Sequence, residues 1–430
     1  METVAWPQVP SSIAKRPIGH VDLDYKNKLI LAPMVRCGTL PMRMLALENG
    51  ADIVYSPETI DRRLARSKRV ENVVSNTIDF VDLDDGTINL RVHASEKAKL
   101  VVQIGSADPE TAVQAALAVA QDCSGIDLNC GCPKKFSIQG AMGAALLSQP
   151  DRLCGMLAAL VEKVPLPITA KIRMLETPEK TVELVQRIEK TGVSAIALHC
   201  RFRSERPQDP GHWDIFEPIA KSINLPLIAN GDLYSLKDVE KLKKIAPSVS
   251  SFMLARGPES NFSIFNPTPC SPTQAIISYA KAAAQYDMVF HNCKYVLMQM
   301  WPASQKRGRR AQLKGKIDST QEEEDPVLLP IAHLAKSKSY RDLAVIIPGL
   351  GDALDRYEGE RLEKSKELGR EDLLRKDVEG VLGPDCPYLP REEVMKQVKR
   401  GSTGQVIGGE EEATDEADGQ ERKKRKESLE

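Results

Sequence analysis

The chain has 430 residues, of which 42% are hydrophobic and 28% charged, with a formal net charge of −1. That length allows one large domain plus a smaller one around a sizeable core, and the balanced charge excludes a global field that draws in nucleic acid, so any such partner must meet a local basic patch. Nine scattered cysteines lack the dense spacing of a secreted disulfide scaffold and indicate a reducing, cytoplasmic setting, while no apolar run has signal-peptide or membrane-spanning length.

Residues 1–28 read as an N-terminal extension. From Leu29 a unit repeats: a short apolar run ends in a polar residue and is usually followed by an amphipathic helical stretch. The runs are Leu29–Val35, Ala51–Tyr55, Leu100–Ile104, Gly125–Asn129, Ile168–Ile172, Ala195–His199, Pro226–Asn230 and Ser251–Arg256. Near-continuous apolar strands alternating with helices predict a parallel sheet covered on its faces. Eight such units over residues 29–260 predict an α/β fold, a (β/α)8 TIM barrel, in preference to a doubly wound open sheet. Asn76–His93 interrupts the repeat and reads as a β-hairpin with an Asp85-Gly86 turn. After about Pro258 the period changes, and residues 261–365 predict a C-terminal helical domain. It is broken at 305–325, where Lys306, Arg307, Arg309, Arg310, Lys314 and Lys316 precede Glu322–Asp325 without any apolar period, as in a mobile charged loop. Residues 366–430 form an extension and a charged tail, with an acidic stretch at Glu410–Asp418 and a basic one at Arg422–Lys426. The basic stretch is either a nuclear-import patch or a solvated run.

In such barrels the active site lies at the carboxyl ends of the strands. Here those ends carry Pro33-Met34 with Arg36, then Glu58, Gln103, Asn129-Cys130-Gly131-Cys132-Pro133, Lys171 with Arg173, His199 with Arg201, Asn230-Gly231-Asp232 and Ala255-Arg256-Gly257. Strands become polar wherever they meet water, but that does not explain Gln, Lys and His each set inside an apolar strand; a polar ligand in the mouth does. Asn230-Gly231 and Arg256-Gly257 follow the last two strands, where barrels often hold phosphate through backbone N–H groups. Lys171 suits the edge of a flavin that gathers negative charge on reduction, or alternatively a carboxylate partner or Schiff-base chemistry. His199 alone fits a structural role as readily as a ligand contact. Cys130-x-Cys132 lacks the spacing of a zinc or redox pair, so no metal is expected. A thiol mostly protonated at neutral pH can serve as a general acid.

Together these residues resemble the dihydrouridine synthase family, flavin enzymes that reduce uridine in tRNA. The resemblance rests on Leu31-Ala32-Pro33-Met34, Val102-Gln103, Asp127–Pro133, Gly143-Ala144-Ala145-Leu146-Leu147, Lys171-Ile172-Arg173, His199 with Arg201, Asn230-Gly231 and Ala255-Arg256. The wording of Val35–Arg43 is similar to eukaryotic type-2 members, whose target is the D-loop uridine at position twenty. The resemblance implies that Pro33, Met34, Val35, Gln103, Lys171 and His199 hold the isoalloxazine of FMN. It assigns the FMN phosphate to Asn230, Gly231, Asp232, Ala255 and Arg256, and substrate contacts to Arg36, Asn129, Arg173 and Arg201. It further implies NADPH as reductant, a target uridine extruded from the tRNA, hydride delivery to uracil C6 and Cys132 as the proton donor to C5. Cys130 receives no role. RNA contact is expected from the barrel mouth, the helical domain and basic segments such as Arg62–Arg69. The alternatives are an FMN barrel acting on a free pyrimidine and a tRNA-binding relic without chemistry.

Overall fold

The structure is a computed structural model and describes residues 23–73, 75–301, 328 and 331–367. The predicted runs form strands, which we number in chain order: β1 (Leu29–Leu31), β2 (Ile53–Tyr55), β3 (Thr59–Ile60), β4 (Ser67–Asn72), β5 (Thr77–Asp82), β6 (Ile88–His93), β7 (Leu100–Gly105), β8 (Gly125–Asn129), β9 (Ile168–Met174), β10 (Ala195–Phe202), β11 (Leu227–Asn230) and β12 (Ser251–Leu254). Eight of them, β1, β2 and β7 to β12, pair in parallel, and the β2–β7 and β1–β12 pairings close the ring. Closure decides between the two architectures the repeat allowed: this is a (β/α)8 barrel. Short β3 extends the pairing along the end of β7.

The helices between strands start where local chemistry places them. Asp108, Thr177 and Ser271 each accept a backbone N–H from three residues on, and Pro109, Pro178 and Pro272 follow them at the first helical position. Their apolar faces cover the outside of the ring and form the main core. A smaller apolar cluster fills the ring itself, with Ile30, Ile53, Tyr55, Val101, Ala195, Ala197, Ile228 and Met253. Tyr25 belongs to it at 2% exposure, although the sequence placed it in an extension. Its carbonyl accepts from Ser251 Oγ, so the segment before β1 is anchored at the amino ends of the strands.

The predicted hairpin is present, but it is part of a three-stranded antiparallel sheet, because Ser67–Asn72 adds β4 alongside β5. The basic segment Arg62–Arg69, from which RNA contact is expected, carries several ion pairs here. The register of β4 on β5 delivers Arg66 to Asp82 at 3.0 Å, and Arg69 reaches Asp122 at 2.8 Å and Glu71 at 2.9 Å. Arg63 faces Asp85. Most of the segment's charge is spent on the protein itself.

Helices Pro272–Gln285 and Phe290–Met300, with Ile331–Lys336, Tyr340–Ile346 and Leu350–Glu367, make the C-terminal helical region. It is joined to the insert through Arg91 of β6, which chelates Asp79 and donates to the Tyr286 and Asp287 carbonyls. The charged loop at 305–325, the acidic and basic tail stretches, and most of the N-terminal extension lie outside the described residues. None of the described helices is long and apolar enough to cross a membrane.

Candidate active site

The carboxyl end of the ring brings the predicted polar residues together, and strand register explains how. Gln103 of β7 lies beside Asp127 of β8, which lies beside Thr169 of β9. Two residues further on, Asn129 lies beside Lys171, and His199 lies beside both Arg173 and Asn230. Side chains two apart on a strand share a face, so the inner face carries two polar layers above the apolar floor.

The lower layer is neutralised internally. Gln103 Nε2 donates to Asp127 Oδ2 at 2.8 Å, and Thr169 Oγ1 donates to Oδ1 at 2.6 Å. Burial pushes the Asp127 carboxyl up to about 7, against these two hydrogen bonds and the Lys171 charge. Asp127 is a site residue that sequence reasoning left without a role. Its signal was present: an acid inside an apolar strand, in register with Gln103.

The upper layer is cationic. Lys171 Nζ donates to Asn230 Oδ1 at 2.9 Å, and Asn230 Nδ2 donates to the Met253 carbonyl, which ties three strands together. Burial lowers the Lys171 ammonium to about 8, helped by Arg173. His199 is held neutral by burial and by Lys171, Arg173, Arg201 and Arg256 around it, and its Nδ1 is buried without a partner. Arg173 donates to the Phe202 carbonyl.

Arg201 and Arg256 converge on one carboxylate, Asp232. Burial pushes this acid up, but Arg201, the Gly211 N–H and Arg256 hold it below the usual carboxylate range. Arg201 is 2% exposed, with its guanidinium on Asp232 and the Asp209 carbonyl, so its place is in the arginine cluster rather than free in the mouth. The Asp232 carboxylate lies between the two guanidinium groups. Gly231 sits at φ +121°, and a Cβ there would lie 2.5 Å from Cys200 Sγ. Only glycine brings this backbone so close to β10. Arg256 also lies over the Tyr234 ring, 4.7 Å from its centroid, and follows Ala255 at the start of a short helix.

On the neighbouring strand, Pro33, Met34 and Val35 form the turn after β1, which pairs with β12. The Gly38 N–H closes the turn on the Met34 carbonyl at 2.8 Å. Val35 is exposed, and Arg36 adopts a positive φ of 71°. The helical region fixes this turn: Asn292 Nδ2 donates to the Arg36 carbonyl, and Tyr295 lies 4.0 Å beneath the Arg36 guanidinium.

Cys132 stands on the turn after β8. Asn129 Oδ1 accepts from Gly131 N at 3.0 Å and from Cys132 N at 3.2 Å. The Cys132 carbonyl accepts from Ala144 N, the first alanine of the Gly143–Ser148 turn of helix. The Gly143–Leu147 segment thus braces the cysteine turn. Cys132 is partly exposed, whereas Cys130 is buried with its thiol pushed well above the ordinary range. Only Cys132 is available to a ligand in the mouth.

These features define a (β/α)8 barrel whose mouth carries a partly exposed thiol, a cationic layer and two arginines that share one carboxylate. Residues 30–326 match the sequence profile of the dihydrouridine synthase family, and the chain belongs to that family. It is 42% identical over 300 residues to the tRNA-dihydrouridine(20) synthase [NAD(P)+] of Schizosaccharomyces pombe, a match covering 67% of this chain and 62% of that protein. It is 38% identical over 302 residues to the tRNA-dihydrouridine(20) synthase [NAD(P)+] of Saccharomyces cerevisiae, covering 65% of this chain and 78% of that protein. Against a tRNA-dihydrouridine(20a/20b) synthase [NAD(P)+] of S. cerevisiae it is 35% identical over 243 residues, 55% of this chain and 61% of that one.

Proposed function

We propose that the chain is an FMN-dependent tRNA-dihydrouridine synthase that uses NADPH to saturate the C5–C6 bond of the D-loop uridine at position twenty. The observation that carries this is the cationic upper layer facing a partly exposed Cys132. Lys171 and Arg173 have only neutral oxygens as hydrogen-bond partners, and Arg201 and Arg256 share one carboxylate. Such a surplus of positive charge on buried and partly buried side chains calls for an anionic ligand. FMN fits it. Its phosphate would meet the Gly231 backbone, Arg256 and the turn at Ala255. Its ring would lie against Pro33, Met34, Val35 and Gln103, with Lys171 and the unpartnered His199 Nδ1 at its polar edges. The names of the two position-20 relatives support the substrate and the nicotinamide reductant.

When bound, FMN supplies the passage of hydride from NADPH to uracil C6. The protein does the rest. The mouth admits a base only after it leaves its stack. Arg36, Asn129 and Arg173 orient it, and Cys132 Sγ gives its proton to C5 from the face opposite the flavin. A visible spectrum taken under anaerobic conditions tests the reading. A flavin band that bleaches with NADPH and recovers on adding unmodified tRNA is the expected result. A band that bleaches but ignores tRNA points instead to a free pyrimidine, and no band after reconstitution with FMN removes the enzyme reading.

A further inference from the structure

Trp213 takes no part in the reaction steps above, yet its indole touches the backbone assigned to the phosphate of FMN. Trp213 Nε1 donates to the Gly231 carbonyl at 3.0 Å. The contact links the loop after β10 to the turn after β11, and two glycines seat the loop for it. A Cβ at Gly211 would lie 2.7 Å from Cys200 Sγ, and one at Gly231 2.5 Å from the same sulfur. Both backbones therefore lie flush against β10. Gly211 N donates to Asp232 Oδ2 at 2.7 Å and His212 N to the Cys200 carbonyl at 2.9 Å, which delivers the chain to Trp213. The ring itself is half-buried against the main core.

The Gly231–Asp232 peptide is trans, so its C=O and N–H point in opposite directions within one plane. An indole N–H that holds the carbonyl therefore also sets the direction of the Asp232 N–H. Glycine tolerates many backbone angles, so without the indole this peptide can turn over. Among the described residues the Asp232 N–H has no acceptor. The Asp232 carboxylate, by contrast, is engaged by Arg201, Arg256 and the Gly211 N–H.

We propose that Trp213 is a positioning residue for the phosphate of FMN: by holding the Gly231 carbonyl it turns the Asp232 N–H toward the phosphate oxygens. The inference rests on the FMN reading above and adds the residue that orients its phosphate turn. A backbone N–H aimed at a charged oxygen makes one of the stronger hydrogen bonds, so the direction of this one peptide has room to matter.

The test uses the full chain and compares FMN with riboflavin, which carries the same ring and no phosphate. Trp213→Phe keeps an aromatic ring against the core and removes the N–H donor. In flavin fluorescence titrations it is expected to weaken FMN binding by about 5- to 20-fold and to change riboflavin binding by less than about twofold. A general loosening of the site weakens both ligands alike. That result, or an FMN affinity that stays at the wild-type value, overturns the proposal. Should Trp213→Phe fail to fold, hydrogen exchange of the wild type at single-amide resolution decides. FMN is expected to slow exchange of the Asp232 amide at least about tenfold more than riboflavin does. Equal exchange with the two flavins overturns the proposal. If the wild type binds neither flavin, the FMN reading falls, and inorganic phosphate replaces the flavins in the exchange experiment. Phosphate that protects the Asp232 amide in the wild type but not in Trp213→Phe leaves the positioning role standing for an anion. Protection that is the same in both proteins, or absent in the wild type, ends it.

Discussion

The three-stranded insert and the barrel mouth are both rich in arginine, and they treat it in opposite ways. In and beside the insert four arginines meet carboxylates: Arg63 and Arg66 at Asp85 and Asp82, Arg69 at Asp122, Arg91 at Asp79. In the mouth Arg201 and Arg256 share Asp232, while Lys171 and Arg173 donate only to neutral oxygens. Paired charge fastens parts of the chain together; surplus buried charge needs a ligand to complete it. A basic stretch in a sequence looks the same in either case.

The sharpest break in the comparison should come at the thiol. Cys132→Ala is expected to lower turnover by about 10²–10⁴-fold while leaving the flavin spectrum and FMN retention unchanged; turnover at the wild-type rate would remove the acid assignment. The insert should respond in stability instead. Arg91→Ala leaves buried Asp79 without its cation and leaves Asp287 to Arg361 alone, which should cost about 3–5 kcal/mol in urea unfolding. A loss below 1 kcal/mol would mean that the joint between insert and helical region is not held by this pair. A pair of matched variants then separates the two kinds of arginine. Arg256→Ala should weaken FMN binding by about 10- to 100-fold in a fluorescence titration, whereas Arg66→Ala should leave it unchanged.

The smallest effect expected is a pH dependence at Asp287. Burial raises its carboxyl to about 7 from an ordinary 3.8, with Arg91 and Arg361 opposing the rise. The folded chain therefore holds this proton more tightly than the unfolded chain. The group's stabilisation is full below about pH 4 and is lost as pH rises through about 7. Asp287→Asn cannot ionise, so its Tm should gain on the wild type between pH 5 and pH 8, by roughly 2–4 °C per kcal/mol regained. A gap that is constant across that range would show that Asp287 does not titrate in the folded state.

The barrel was legible because each strand is a local event. An apolar run bounded by Gly, Pro or Asp reads as a strand wherever it sits, and eight in a row leave few ways to arrange them. The polar residues at the strand ends were legible for the same reason: Gln103, Lys171 and His199 stand against an apolar background. β4 was not legible, because Ser-Lys-Arg-Val-Glu-Asn has no apolar alternation and becomes a strand only by pairing with β5. Tyr25 was missed because its burial depends on the amino end of the ring, which the local sequence does not announce.

The repeat, the polar strand ends and the cysteine turn all follow from residues close together along the chain, so they can be read without the fold. Which charges are spoken for depends on the folded chain. Asp82 meets Arg66 across 16 residues, Asp122 meets Arg69 across 53, and Asp232 meets Arg201 across 31. An ion pair is set by distance in space, and a buried cation differs from a solvated one only through what surrounds it.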